Sequence, residues 1–114
     1  MSLLFAACYD NNGYAGKVTF PAQGGTKVIK GESFMHTYGI ADFNGRNDEA
    51  QDNSDEDSIR VSYQWLKAAS AFRERGKEII VTAEPNTTGK RRRLYIHGMV
   101  MNDVITIKVV QREH

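Results

Sequence analysis

Arg93, Tyr95 and His97 occupy every second position of one run and carry the groups with which a protein holds a sugar. A pyranose packs its C–H groups on an aromatic ring, while its hydroxyls exchange hydrogen bonds with polar side chains nearby. If Leu94 and Ile96 between them turn to a core, these three share the outward side of a strand, and Tyr95 is the expected platform. The plainer alternative is a lone surface tyrosine. The single tryptophan, Trp65, falls in phase with Tyr63 and Val61 and is expected in the core rather than on a sugar-binding surface.

Other clusters point to weaker chemistry. Lys90-Arg91-Arg92-Arg93 has the charge to meet phosphates, but alternation splits it between two faces and no stacking aromatics interleave it as nucleic-acid binding requires. It reads first as a solvated hairpin end, with a glycan, a partner or the chain's own acidic segment as other contacts. Arg92 is in phase with Leu94 and Ile96 and is expected to cap the core edge, leaving Arg91 and Arg93 wet. The oxygen-rich stretch Asp48 to Asp57 suits a hard cation such as calcium, but lacks the glycine-turned spacing of an EF-hand loop. A solvated loop is the simpler reading.

Catalysis requires a nucleophile beside a base, or paired carboxylates, on a rigid scaffold. His36 and His97 fall on different strands with no carboxylate at a useful offset, and His114 is terminal. No catalytic residue, no cofactor and no metal site is expected. Asn86-Thr87-Thr88 has the form of an N-glycosylation sequon and reads more simply as a turn.

At 114 residues and 40% hydrophobic content, the chain can bury one core without staples. Its net charge of +1 provides no global field towards nucleic acid or membrane. The balance is local, however. Asp42 to Asp57 holds seven acids and one base, a charge of −6, which leaves the rest of the chain at about +7.

The lone cysteine, Cys8, follows the apolar Leu3-Leu4-Phe5 and the small pair Ala6-Ala7, and precedes the polar run Tyr9 to Gly13. This resembles a bacterial lipobox, whose cysteine carries lipid. The alternative is a small buried hydrophobe in a first strand. With no basic segment before it, the start reads as a secretory signal trimmed upstream. Residues 1–16 are therefore expected to be a signal remnant and flexible tether, and residues 17–114 one domain.

The supporting elements read as strands, because apolar residues recur mainly at every second position between Gly, Pro, Asn and Asp punctuation. Val18 and Phe20 lead into the turn Pro21 to Gly25, and Thr26 to Lys30 follows. Phe34 to Ile40 is a third strand with Phe34, His36 and Tyr38 on one face. Residues 42–58 form a long solvated loop, and Ile59 to Leu66 resumes the sheet. Lys67 to Gly76, rich in alanine, is ambiguous with a short helical turn. Glu78 to Ala83, Arg92 to His97 and Val104 to Gln111 complete about seven strands. The expected core comprises Ile79 or Ile80 with Leu94, Ile96, Ile105, Ile107 and Val109. An all-β, antiparallel sandwich of immunoglobulin-like type is the fold class this predicts.

Gly24-Gly25, Trp65-Leu66, Asn86 with Arg92 six positions on, and the closing run Ile105 to Gln111 together resemble the BACON family, the Bacteroidetes-associated carbohydrate-binding, often N-terminal domain. The likeness covers residues 17 to 112 and is densest from Trp65 to Gln111. It implies an immunoglobulin-like sandwich, a carbohydrate-binding role or a spacer role, and a bacterial surface. In that setting Asp57-Ser58-Ile59 resembles the short acceptor for O-glycosylation, with Ser58 modified. The function expected is a non-catalytic extracytoplasmic binding module of a lipoprotein in the outer membrane or periplasm. Its partners would be a glycan or a protein, not nucleic acid, and its membrane contact would come only through lipid on Cys8. A structural spacer or assembly subunit is the alternative.

Overall fold

A computed structural model describes residues 11–42, 51–71 and 77–114. These residues form nine strands and no helix: β1 Lys17–Phe20, β2 Gly25–Lys30, β3 His36–Ala41, β4 Gln51–Asp52, β5 Ser58–Tyr63, β6 Leu66–Ala71, β7 Glu78–Ala83, β8 Arg92–Val100 and β9 Asp103–Gln111. One sheet has the order β1-β9-β8-β3 and the other β2-β7-β6-β5-β4. The two close on one hydrophobic core as a β-sandwich.

Period-two alternation explains most of that core. Leu94 and Ile96 on β8, Ile105, Ile107 and Val109 on β9, and Ile79 and Val81 on β7 are all buried. Of the two isoleucines offered for β7, Ile79 turns inward; Ile80 is 44% exposed and stands opposite Val28 on the outer side.

Four expectations are corrected. Pairing is not wholly antiparallel, because β1 runs parallel to β9 from Lys17 opposite Lys108 to Phe20 opposite Gln111. Ile59 to Leu66 is not one strand: Gln64, at φ 52, and Trp65 make a two-residue turn between Tyr63 and Leu66. The alanine-rich stretch is extended as β6 up to Ala71, with Leu66, Ala68 and Ser70 facing in. Pairing on both sides, with β5 and β7, outweighs the helix propensity of alanine there. Residues 72–76 lie outside the described residues.

The acidic segment is the fourth. Residues 43–50 lie outside the described residues, but 51–58 are not a loose loop. Gln51 and Asp52 pair with Ser62 and Val61, and the backbone turns on side-chain oxygens. Asp52 accepts from the Ser54 amide at 2.9 Å, and Asp55 accepts from the Asp57 and Ser58 amides at 2.8 and 2.9 Å. Such Asx turns need no apolar burial, so a chain without hydrophobes still takes one course.

From Asn11 on, the expected tether belongs to the sandwich. Tyr14 is buried in the core and its hydroxyl donates to the Ser33 carbonyl at 2.6 Å, while the Asn11 side-chain amide donates to the Thr106 carbonyl at 3.2 Å. Burial raises the Tyr14 phenol above its ordinary value. Cys8 and Tyr9 lie outside the described residues.

Candidate functional site

Strand register arranges two features, a polar plug at one end of the sandwich and a chemically mixed face on the four-stranded sheet. The plug gathers Trp65, Asn86, Arg92 and Gln111. Gln111 is fully buried; its amide nitrogen donates to the Glu84 carbonyl at 2.7 Å and to the Pro21 carbonyl at 3.2 Å, and its oxygen accepts from Arg92 Nε at 2.8 Å. The Arg92 guanidinium lies 4.6 Å above the Trp65 ring and also donates to the Pro85 carbonyl at 3.2 Å. Burial lowers its pKa from the usual arginine value. Asn86 donates to the Lys90 and Arg112 carbonyls at 2.8 and 3.0 Å and accepts from the Thr88 amide and hydroxyl. Arg92 thus caps the core edge, and four of the residues that carried the family resemblance, Trp65, Asn86, Arg92 and Gln111, gather at one end of the sandwich in an architectural role.

The outward side of β8 presents Arg93, Tyr95, His97 and Met99. Opposite them on β9 stand Val110, Lys108, Thr106 and Val104; on β3, Ala41, Gly39 and His36 face Tyr95, His97 and Met99. The three sequence-selected residues do share this side, but they do not form one open platform. Arg93 is exposed, Tyr95 is half-buried and His97 is only 4% exposed.

Tyr38 covers His97. The register shifts between Thr37 and Gly39, so Tyr38 is the extra residue of a β-bulge, and bulges re-aim side chains. Its ring stacks on the His97 imidazole at a 6.4 Å centroid distance and 24° between planes, yet remains 44% exposed. Phe34 meets His36 edge-on at 6.3 Å. With Met99, Glu32 and Lys77, the rings of Phe34, His36 and Tyr38 line an open cleft of about 930 Å³. Gly98 makes room for the wall behind it, because a Cβ there would lie 2.5 Å from Met35 Cε.

Sequence reasoning placed Phe34, His36 and Tyr38 on one face but assigned them no ligand. The missed signal is the pairing of β3 with β8, which carries that face to the expected site. Ser58 sits apart at the start of β5, half-buried, its hydroxyl directed to Asp55 at 3.3 Å. Among the described residues no three His, Cys, Asp or Glu side chains converge as metal ligands.

At the basic end, Arg91, Arg93, Lys17 and Lys108 surround a depression of about 190 Å³. Arg92 also borders it, but its guanidinium is committed to the plug.

No protein-family model and no curated protein matches the chain. Two solved structures do. One is an NMR structure of a protein from Bacteroides thetaiotaomicron, 15% identical, matched over 87% of this chain and 77% of that one with a TM-score of 0.62. The other is a Bacteroides ovatus GH5 xyloglucanase in complex with a XXXG heptasaccharide, 19% identical, matched over 89% of this chain but 18% of the xyloglucanase, with a TM-score of 0.55. At these identities the likeness is one of fold: this chain is similar to most of the first chain and to a minor part of the xyloglucanase.

Proposed function

We propose that this protein is a non-catalytic, carbohydrate-binding module of a bacterial cell-surface lipoprotein, BACON-like in type, with its binding surface on the outer side of the four-stranded sheet. The observation that carries the reading is Tyr38, 44% exposed, its ring near-parallel to the buried His97 imidazole at 6.4 Å between centroids and 24° between planes. A partly exposed ring with packed neighbours offers a sugar a stacking surface. Glu32 and Lys77 at the cleft rim supply an acceptor and a donor for hydroxyl groups. An immunoglobulin-like assignment is supported by strand order: β2-β7-β6 and β3-β8-β9 follow the B-E-D and C-F-G orders of that architecture. The Bacteroides origin of both similar structures agrees with a bacterial setting.

A glycan array on the soluble domain, with Tyr38→Ala and Tyr95→Ala beside it, tests the proposal. Binding lost in Tyr38→Ala is the expected result, and silence of the unaltered domain on the whole array refutes it. A second reading, a docking surface for a partner protein, is favoured by Met99, Met101 and Val104, which are 36%, 89% and 62% exposed at the same end of the sheet. Loss of partner capture in Met101→Ser, with no glycan bound, would establish that reading instead.

A further inference from the structure

We infer that the glycan held on this face is acidic, and that Lys17, Arg93 and Lys108 form a separate subsite for its sulfate or carboxylate group; this rests on the carbohydrate-binding reading. The parallel pairing of β1 with β9 sets Lys17 directly opposite Lys108. Lys108 stands opposite Tyr95 on β8, one outward step from Arg93. Like charges placed opposite each other across strands destabilise a sheet. Among the described residues, no acid is seen paired with Lys17, Arg93 or Lys108; the Arg60–Asp55 ion pair, at 3.5 Å, lies on the other sheet. The outward positions of β1, β9 and β8 around this depression include no acid.

The backbone beneath the cluster is fixed. Arg92, inward between Arg91 and Arg93, is pinned by Gln111 and Trp65, so its neighbours are held outward around the depression. A carboxylate or sulfate there would receive charge-assisted hydrogen bonds, with arginine able to donate two in parallel. The subsite also lies at a useful reach from the stacking ring. Positions 93 and 97 of β8 are separated by about 14 Å of extended strand, with Tyr95 between them. One chain of a few sugar units therefore spans both, stacking one ring at Tyr38 and presenting its charge to Arg93 and Lys108. A neutral chain leaves the cations unanswered.

Affinity electrophoresis of the full chain through dextran, dextran sulfate and polygalacturonate distinguishes the possibilities, run at low and at high salt. At low salt, at least one acidic polymer is expected to retard the protein about tenfold more strongly than dextran, and the polymer that does so tells sulfate from carboxylate. The double variant Arg93→Gln/Lys108→Gln should lose roughly that factor. Lys30→Gln/Lys67→Gln, which removes the same charge from the other sheet, should not. Equal losses in the two double variants would reduce the effect to net charge and overturn the subsite, as would equal retardation by all three polymers. In either case Tyr38→Ala still reports on the carbohydrate reading. If no polymer retards the protein, the acidic-glycan inference falls, and the glycan array alone decides the carbohydrate reading. If acidic polymers bind through Arg93 and Lys108 and Tyr38→Ala changes nothing, the anion subsite stands and the stacking platform does not.

Discussion

Replacing Gln111 with leucine tests whether the buried plug holds the two sheets together. The shapes are similar, so the core loses little volume and the change is almost wholly in hydrogen bonding. The Pro21 carbonyl keeps the Gly24 amide at 3.0 Å and the Ala22 carbonyl keeps the Asn86 amide at 2.6 Å. The Glu84 carbonyl loses its 2.7 Å bond and keeps only a long one from Arg92 Nη2 at 3.5 Å, and Arg92 Nε, 2.8 Å from the lost oxygen, is left without its acceptor. One neutral bond at about 1 kcal/mol and one charged bond at about 2 kcal/mol give a loss of roughly 3 kcal/mol. Against a total stability of about 5–15 kcal/mol for a domain, that is a large fraction. With a urea slope of ~2 kcal/mol/M, the unfolding midpoint should fall by about 1.5 M with the slope unchanged. In an Arg92→Met background the charged bond is already gone, so the same leucine should cost only about 1 kcal/mol, a coupling of ~2 kcal/mol. Strict additivity of the two substitutions, or a Gln111→Leu midpoint within experimental scatter of the parent, would refute the plug as a load-sharing unit.

Ile107→Ala, at a fully buried site in the middle of β9, should destabilise by about 2–5 kcal/mol in the same urea assay. The Asp55 carboxyl is held below its ordinary 3.8, first by the Asp57 amide and then by the Ser58 amide. Its contribution to the β4–β5 turn is therefore complete above 3.8 and is lost as pH falls through the lower folded value. NMR titration of the Asp57 and Ser58 amide shifts should show that acid transition, and Asp55→Asn should abolish it. In cells expressing the chain behind a full leader, mass spectrometry should find lipid on Cys8, and an unmodified thiol there would remove the lipoprotein proposal.

The core was legible where alternation had one dry face. Leu94, Ile96, Ile105, Ile107 and Val109 needed only their spacing to be placed. Alternation names a side, however, and not a depth. His97 was correctly turned outward, but it is buried, with Tyr38 beside it from nearly sixty positions away, re-aimed by a bulge that no local pattern announces. The Gln64-Trp65 turn lacks the Asn-Gly or Asp-Gly pair that marks tight hairpins, so one run of β-formers concealed two strands. The basic subsite was legible only in half. Arg91 and Arg93 lie two positions apart in the chain, but Lys17 reaches Lys108 through a pairing that spans most of its length.

The parallel contact of β1 with β9 also has a mechanical meaning. The chain enters β1 beside Lys108 and leaves β9 beside Phe20, so the two ends depart in opposite directions. Bonds at both limits of the contact, from the Lys108 amide to the Gly16 carbonyl at 2.9 Å and from the Arg112 amide to the Phe20 carbonyl at 3.0 Å, bracket it. Tension between an anchored end and a loaded end would therefore slide the strands past each other and strain all of these bonds together, instead of peeling them apart one by one. A fold arranged in this way yields late under a steady pull between its two ends.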